Sequence, residues 1–240
     1  MCVFLCLNFN LKRKTSHLKR NCFYLLIFMI SSDCSQGVVV VKEAFLDYSI
    51  NLILAKNNYD ELKISKLRYG LEAFYMLFVK LSAIILLAII LGLFKAVLLF
   101  ILIYTPLRGF GFGFHANSSL QCWLISVPVF IVIPFLSKVL TIPLIVVHAI
   151  ILLSTVSYLL YAPADSKKKP LVNMKKRLIN KSLMVTIGLI YLFATIFIQN
   201  HVVINSIMFS CLWQAICVNP KMYKLFHQPF QNYKNYSSSV

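Results

Sequence analysis

Long apolar runs alternate with short polar breaks along this chain. Runs at 71–94, 96–107, 120–136, 139–162, 183–199 and 202–218 read as membrane spans, since roughly 20 mainly apolar residues cross a bilayer. The second run must borrow flanking residues, and Pro128 and Pro134 soften the third. The links near Lys95, Lys138 and Asn200 are short, so neighbouring helices should run antiparallel. Ahead of the spans, Leu46, Ile50, Ile53 and Leu54 fall near one helical face. Asn58 then offers an N-cap with Glu61 three residues on, opening a second short helix that carries Leu62 and Leu67. These two helices lie on the inner membrane face or are solvated surface helices. The expected fold is all-α, a polytopic bundle of about six transmembrane helices preceded by amphipathic helices. Three regions are expected: an N-terminal extension at 1–41, a membrane domain at 42–220 and a polar C-terminal tail at 221–240. The extension has a signal-like pattern without a clean cleavage site. It reads either as an interfacial anchor or as sequence upstream of a start at Met29.

Composition supports lipid as the solvent. The 240 residues are 60% hydrophobic and 13% charged, with a mean hydropathy of +0.79, too apolar to coat a soluble core. The formal charge of +17 raises nucleic acid as a partner. However, most positive charge sits between or beside apolar runs, so nucleic acid is set aside in favour of a topological reading. With the N-terminus inside, the inner side collects ten basic residues before Gly70, Arg108, seven from Lys167 to Lys181 and three after Asn219. The outer links hold only Lys95 and Lys138. This asymmetry predicts a multi-pass cell-membrane protein with both termini cytoplasmic.

Of the seven cysteines, none forms a CxxC pair or shows zinc-ligand spacing, so neither a disulfide framework nor a metal site is indicated. Cys211 and Cys217 read as small buried residues. Lys80 lies deep in the first run and either snorkels or faces the bundle interior; Glu72 is near enough to its end to reach the interface. His148, mid-span in the fourth run, reads as a packing hydrogen bond to a neighbouring helix, with a proton relay as the alternative.

The stretch RGFGFGFHANSSLQC at 108–122 breaks this apolar pattern. A cysteine nucleophile works as a thiolate and needs a base or a positive field nearby. His115 could supply the base and Cys122 the sulfur. On one straight helix the two would be separated by a rise of roughly 10 Å, so the chain must turn between them. Gly109, Gly111 and Gly113 disfavour regular helix, and Ser118 with Gln121 makes an S-x-x-Q capping box. A helix starting at Ser118 puts Cys122 at its fourth position, where the positive helix end favours a thiolate. On pattern alone, a coincidental Cys and His, packing glycines and a headgroup-anchoring Arg108 remain the competing explanation.

Those residues resemble the accessory gene regulator B (AgrB-like) family of membrane cysteine endopeptidases. Arg108, Gly113, His115, Ala116, Cys122 and Ser126 fall at the family's spacings. The first glycine of the family's usual pair is Phe112 here, with Gly111 displaced by one. YAPADSKKKPL at 161–171 resembles the family's loop after the fourth span, and RYGLE at 68–72 its approach to the first; the likeness covers roughly 42–220. The resemblance implies a catalytic pair, His115 and Cys122, that cleaves and cyclises the precursor of a quorum-sensing peptide through an acyl thioester. It implies Arg108, Gly113 and Ser126 in support, with Arg108 at an oxyanion or a headgroup. It further implies a short peptide precursor with an acidic C-terminal tail as partner, met by Lys167, Lys168 and Lys169. No cofactor is expected, and a homo-oligomer is compatible with the sequence. Asp165 could join the site only through folding. The rival functions are a small transporter or exporter using Lys80 and His148, and a non-catalytic membrane scaffold.

Overall fold

The computed structural model describes residues 32–54, 60–114, 119–165 and 171–233. Among them are eight helices: α1 (Ser32–Leu54), α2 (Glu61–Ile90), α3 (Phe94–Gly111), α4 (Ser119–Val139), α5 (Leu144–Tyr161), α6 (Met174–Phe197), α7 (His201–Val218) and α8 (Pro220–Leu225). Helices α2 to α7 are each long and apolar enough to cross a membrane. The protein is therefore an all-α polytopic membrane bundle. The chain divides into two compact units, Met1–Phe78 and Val79–Val240, with the boundary inside α2.

In the first unit, α1 and the start of α2 are cross-linked by charge. Lys42 Nζ lies 2.8 Å from Glu72 Oε1 and Arg68 Nη2 lies 2.7 Å from Glu43 Oε2. Arg68, and then Lys42, hold the Glu43 carboxyl below the usual carboxylate range. Phe45 stacks at a tilt on Tyr75. The expected second short helix is not separate: Glu61–Ile90 is one continuous helix, because nothing between Leu62 and the span stops it and a lone glycine, Gly70, only weakens a helix. The Asn58 cap lies outside the described residues.

In the second unit, α7 is the hub, packed against α3, α4, α5 and α6. Its buried side chains alternate apolar with small or polar: Asn205, Ser206, Ile207, Met208, Ser210, Cys211, Gln214 and Ala215. Lipid gives helices no hydrophobic reason to associate, so close packing and interhelical hydrogen bonds must hold them. Asn205 donates to the carbonyls of Ser137 and Leu140 at the end of α4. Tyr158 of α5 donates to Cys211 O at 2.6 Å, and Tyr191 of α6 donates to Ile103 O of α3. Gly188 of α6 lets Thr155 of α5 approach so closely that a Cβ would sit 2.5 Å from its hydroxyl. Cys211 and Cys217 are buried, as expected of small interior residues. The outward faces remain apolar; Ile145 is 76% and Leu153 66% exposed, as suits lipid-facing positions.

Several boundaries differ from the sequence expectation. α4 runs unbroken through Pro128 and Pro134. α5 starts at Leu144, since Pro143 is its N-cap. α6 starts at Met174, capped by Asn173, whose side chain accepts from the amides of Lys175 and Lys176. Lys175, Lys176, Arg177 and Lys181 therefore ride on a helix rather than in a loop. His148 does not make the expected hydrogen bond through Nε2, which is buried without a partner.

Candidate functional site

The glycine-rich stretch after α3 is a clamped turn. α3 ends at Gly111, and Phe112 follows with φ 55 and ψ −123, a conformation suited to glycine and strained for any other residue. Gly113 has φ 115, again left-handed. The strain at Phe112 is held by bonds on both sides of its peptide. Its N–H donates to Arg108 O at 3.2 Å. Its carbonyl accepts from Arg108 Nη1 at 2.7 Å and from Gln214 Nε2 of α7 at 3.0 Å. Arg108 Nη2 also donates to Phe114 O at 2.9 Å. The guanidinium thus fastens its own loop through two carbonyls, which uses the fork geometry that distinguishes Arg from Lys.

This turn is sewn to the Pro-Ala-Asp loop that follows α5. Gly113 N–H donates to Ala164 O at 2.9 Å, and Ala164 N–H donates to Gly111 O at 3.1 Å, an isolated parallel bridge between Phe112 and Ala164. Phe114 N–H donates to Cys217 O of α7. A Cβ on Gly111 would sit 2.5 Å from the Gln214 amide nitrogen and 2.8 Å from the end of Met184, so a larger residue here would push aside the amide that bonds Phe112 O.

The C-terminal segment closes the other side. Tyr223 of α8 is fully buried and donates to Ala164 O at 2.9 Å; burial pushes its phenol well up from the ordinary tyrosine range. Phe226 stacks on Phe114 with ring centroids 4.7 Å apart. Asp165, 1% exposed, accepts from the amides of Tyr233 at 2.9 Å and Leu171 at 3.3 Å, and its other oxygen lies 3.6 Å from Arg177 Nη1. The Arg177 guanidinium in turn stacks on Tyr233 at 3.6 Å. Asp165 is therefore the clasp of this loop and tail.

Cys122 is the fourth residue of α4 as described. Its sulfur is partly buried and lies 2.7 Å from Lys80 Nζ of α2 and 4.0 Å from Ser126 Oγ, one helical turn on. The Lys80 ammonium also lies 5.9 Å from the Trp123 ring centroid. Of the two placements open to Lys80, the structure has it inside, against a neighbouring helix. A lysine at the centre of a membrane helix costs about 2.5–3.5 kcal/mol in insertion scales, so its ammonium belongs against polar groups of the bundle rather than lipid.

Arg108, Gly113, Cys122 and Ser126 are thus placed: the first two in the clamped turn, the others on α4. His115, Ser118 and Lys167, Lys168 and Lys169 lie outside the described residues. Reading the sequence did not find Gln214, Tyr223, Phe226 or the contact of Lys80 with Cys122. Gln214 had a signal, being an amide in an apolar span, where polar residues are rare and face the bundle.

The chain matches the family Accessory gene regulator B over residues 47–218. An AgrB-like protein of Listeria innocua is 31% identical over 195 residues, 78% of this chain and 92% of that protein. An AgrB-like protein of Clostridium acetobutylicum is 27% identical over 179 residues, 75% of this chain and 86% of the relative. The accessory gene regulator protein B of Staphylococcus epidermidis is 31% identical over 166 residues, 69% and 84% of the two chains. No solved structure matches.

Proposed function

Because the chain belongs to the accessory gene regulator B family, we propose that it is a membrane cysteine endopeptidase which cleaves and cyclises the precursor of a quorum-sensing peptide. The observation that carries the reading is the setting of Cys122: a partly buried thiol on the first turn of α4, 2.7 Å from an ammonium, seven residues past His115 and a clamped glycine turn.

The chemistry follows from these groups. His115 takes the Cys122 proton, and the sulfur attacks a backbone carbonyl of the precursor. Collapse of the tetrahedral adduct breaks the C–N bond, the imidazolium protonates the departing amine, and a thioester to Cys122 remains. His115, neutral again, takes the proton of a thiol or hydroxyl inside the precursor, which attacks the thioester carbonyl, closes a ring and expels the Cys122 thiolate. Ring closure must outrun hydrolysis, so the site has to limit water. Ser126, on the same helix face as Cys122, orients the thiol.

The basic side of the chain is cytoplasmic in this account, and both termini with it; a reporter fused after Val240 that is active only outside the cell contradicts that. Lys167, Lys168 and Lys169 meet the acidic tail of the precursor by charge complementarity. The test is co-expression with a short precursor that has an amphipathic leader, an internal Cys or Ser and an acidic end, read by mass spectrometry. The native chain yields a ring product lighter than the linear fragment by one water. Cys122→Ala and His115→Ala yield none while still inserting in the membrane. Product from Cys122→Ala refutes the reading.

A further inference from the structure

Lys80 stands 42 residues before Cys122 in the sequence, on a different helix, yet its Nζ is 2.7 Å from the Cys122 sulfur. The register that brings them together is built by apolar packing. Ile84 and Ala88, one and two turns past Lys80 on the same face of α2, are buried in a cluster with Leu93 and Val97 at the start of α3, and Val127, Phe130 and Ile131 of α4 pack against that cluster. That shared cluster ties α2 to α4 beyond Lys80 and Cys122.

An ammonium offers donors only, and a neutral thiol is a poor acceptor. Among the described residues, no carboxylate forms an ion pair with Lys80. The group positioned to balance its charge is the sulfur. The guanidinium of Arg108 of α3 is committed to the carbonyls of Phe112 and Phe114. Ser126, on the same helix as Cys122, carries no charge, and His115 adjoins in sequence.

We propose that Lys80 is the fixed cation that holds Cys122 as thiolate, both before attack and when the sulfur is expelled from the thioester. It makes and breaks no bond to hydrogen in the cycle; His115 moves the proton, and Lys80 balances the charge left on sulfur. This rests on the peptidase reading for its place in the reaction, but the ion pair itself does not. An opposite charge within about 4–6 Å changes the balance of charged and neutral forms by about ten- to a thousandfold.

The test is alkylation of Cys122 by iodoacetamide, resolved by peptide mass spectrometry, on the full chain in proteoliposomes across pH 6 to 10. Lys80→Met should slow alkylation of Cys122 at least tenfold near neutral pH, with the native rate regained toward pH 10. Lys80→Arg, which keeps the charge, should stay within about threefold of native. Cys211 and Cys217 report folding, since both are buried and should stay unmodified. If Lys80→Met exposes them, Lys80→Gln takes its place with the same thresholds. A neutral variant that alkylates at the native rate, or is slow at every pH, overturns the proposal. Precursor processing by the native chain is scored separately. Loss of thiolate in the variant with no processing by the native chain refutes the peptidase reading alone; processing with unchanged alkylation refutes Lys80 alone.

Discussion

Phe112 holds a backbone conformation that favours glycine, and the strain this places on a phenylalanine is measurable. Phe112 has φ 55 and ψ −123, and such a conformation costs a non-glycine residue about 1–3 kcal/mol. Replacing Phe with Ala keeps that strain; replacing it with Gly removes it. At an ordinary site Gly is the worse of the two by about 0.5–1 kcal/mol, from the extra freedom of the unfolded chain. Here the order should invert, with Phe112→Gly more stable than Phe112→Ala by about 1–2 kcal/mol. For a chain of this size that is roughly 2–8 °C in midpoint. Comparing Gly with Ala cancels loss of the ring, because both lack it. A thiol-reactive dye in detergent suits the assay, since Cys211 and Cys217 are 0% and 3% exposed and become reactive on unfolding. A midpoint for Phe112→Ala equal to or above that for Phe112→Gly refutes the strained turn.

Two further outcomes follow from the same loop and its neighbour. In Gly113→Ala the new Cβ would meet Arg108 Nη1 at 2.6 Å and the Cys217 carbonyl at 3.0 Å. Backbone strain and the loosened Arg108 clamp should cost about 2–4 kcal/mol, seen as a fall in the same dye midpoint; an unchanged midpoint contradicts the clamp. Changing Lys167, Lys168 and Lys169 together to Gln should slow precursor processing about tenfold at low salt, from about 0.5 kcal/mol per exposed pair, with the difference from native vanishing at high salt. A salt-independent loss contradicts electrostatic capture.

The spans were legible because each apolar run is long enough to declare itself. Their ends were less so. α2 outran its apolar run because the polar stretch from Glu61 to Gly70 carries no stop signal, and α6 began nine residues ahead of its run because Asn173 caps a helix whose first turns are basic. Pro128 and Pro134 softened an expectation that the bundle overrode. The break at 108–114 could be read from its glycines, but its lock could not. Arg108 turns back onto the carbonyls of Phe112 and Phe114, and the partners of the turn come from two distant parts of the chain, Ala164 after α5 and Gln214 with Cys217 on α7. The tail beyond α7 looked merely polar, yet Tyr223 and Phe226 brace the loop. The pairing of Lys80 with Cys122 depends on the register of two helices, which local pattern does not encode.

The most direct measurement is capture of the covalent intermediate. A precursor whose internal nucleophile is changed to Ala cannot close a ring, so the acyl group should remain on the enzyme. Incubated with the native chain in proteoliposomes, it should leave its N-terminal fragment on Cys122 as an adduct released by hydroxylamine. Absence of any adduct while the precursor is cleaved, or an adduct on another cysteine with Cys122 unmodified, contradicts the account.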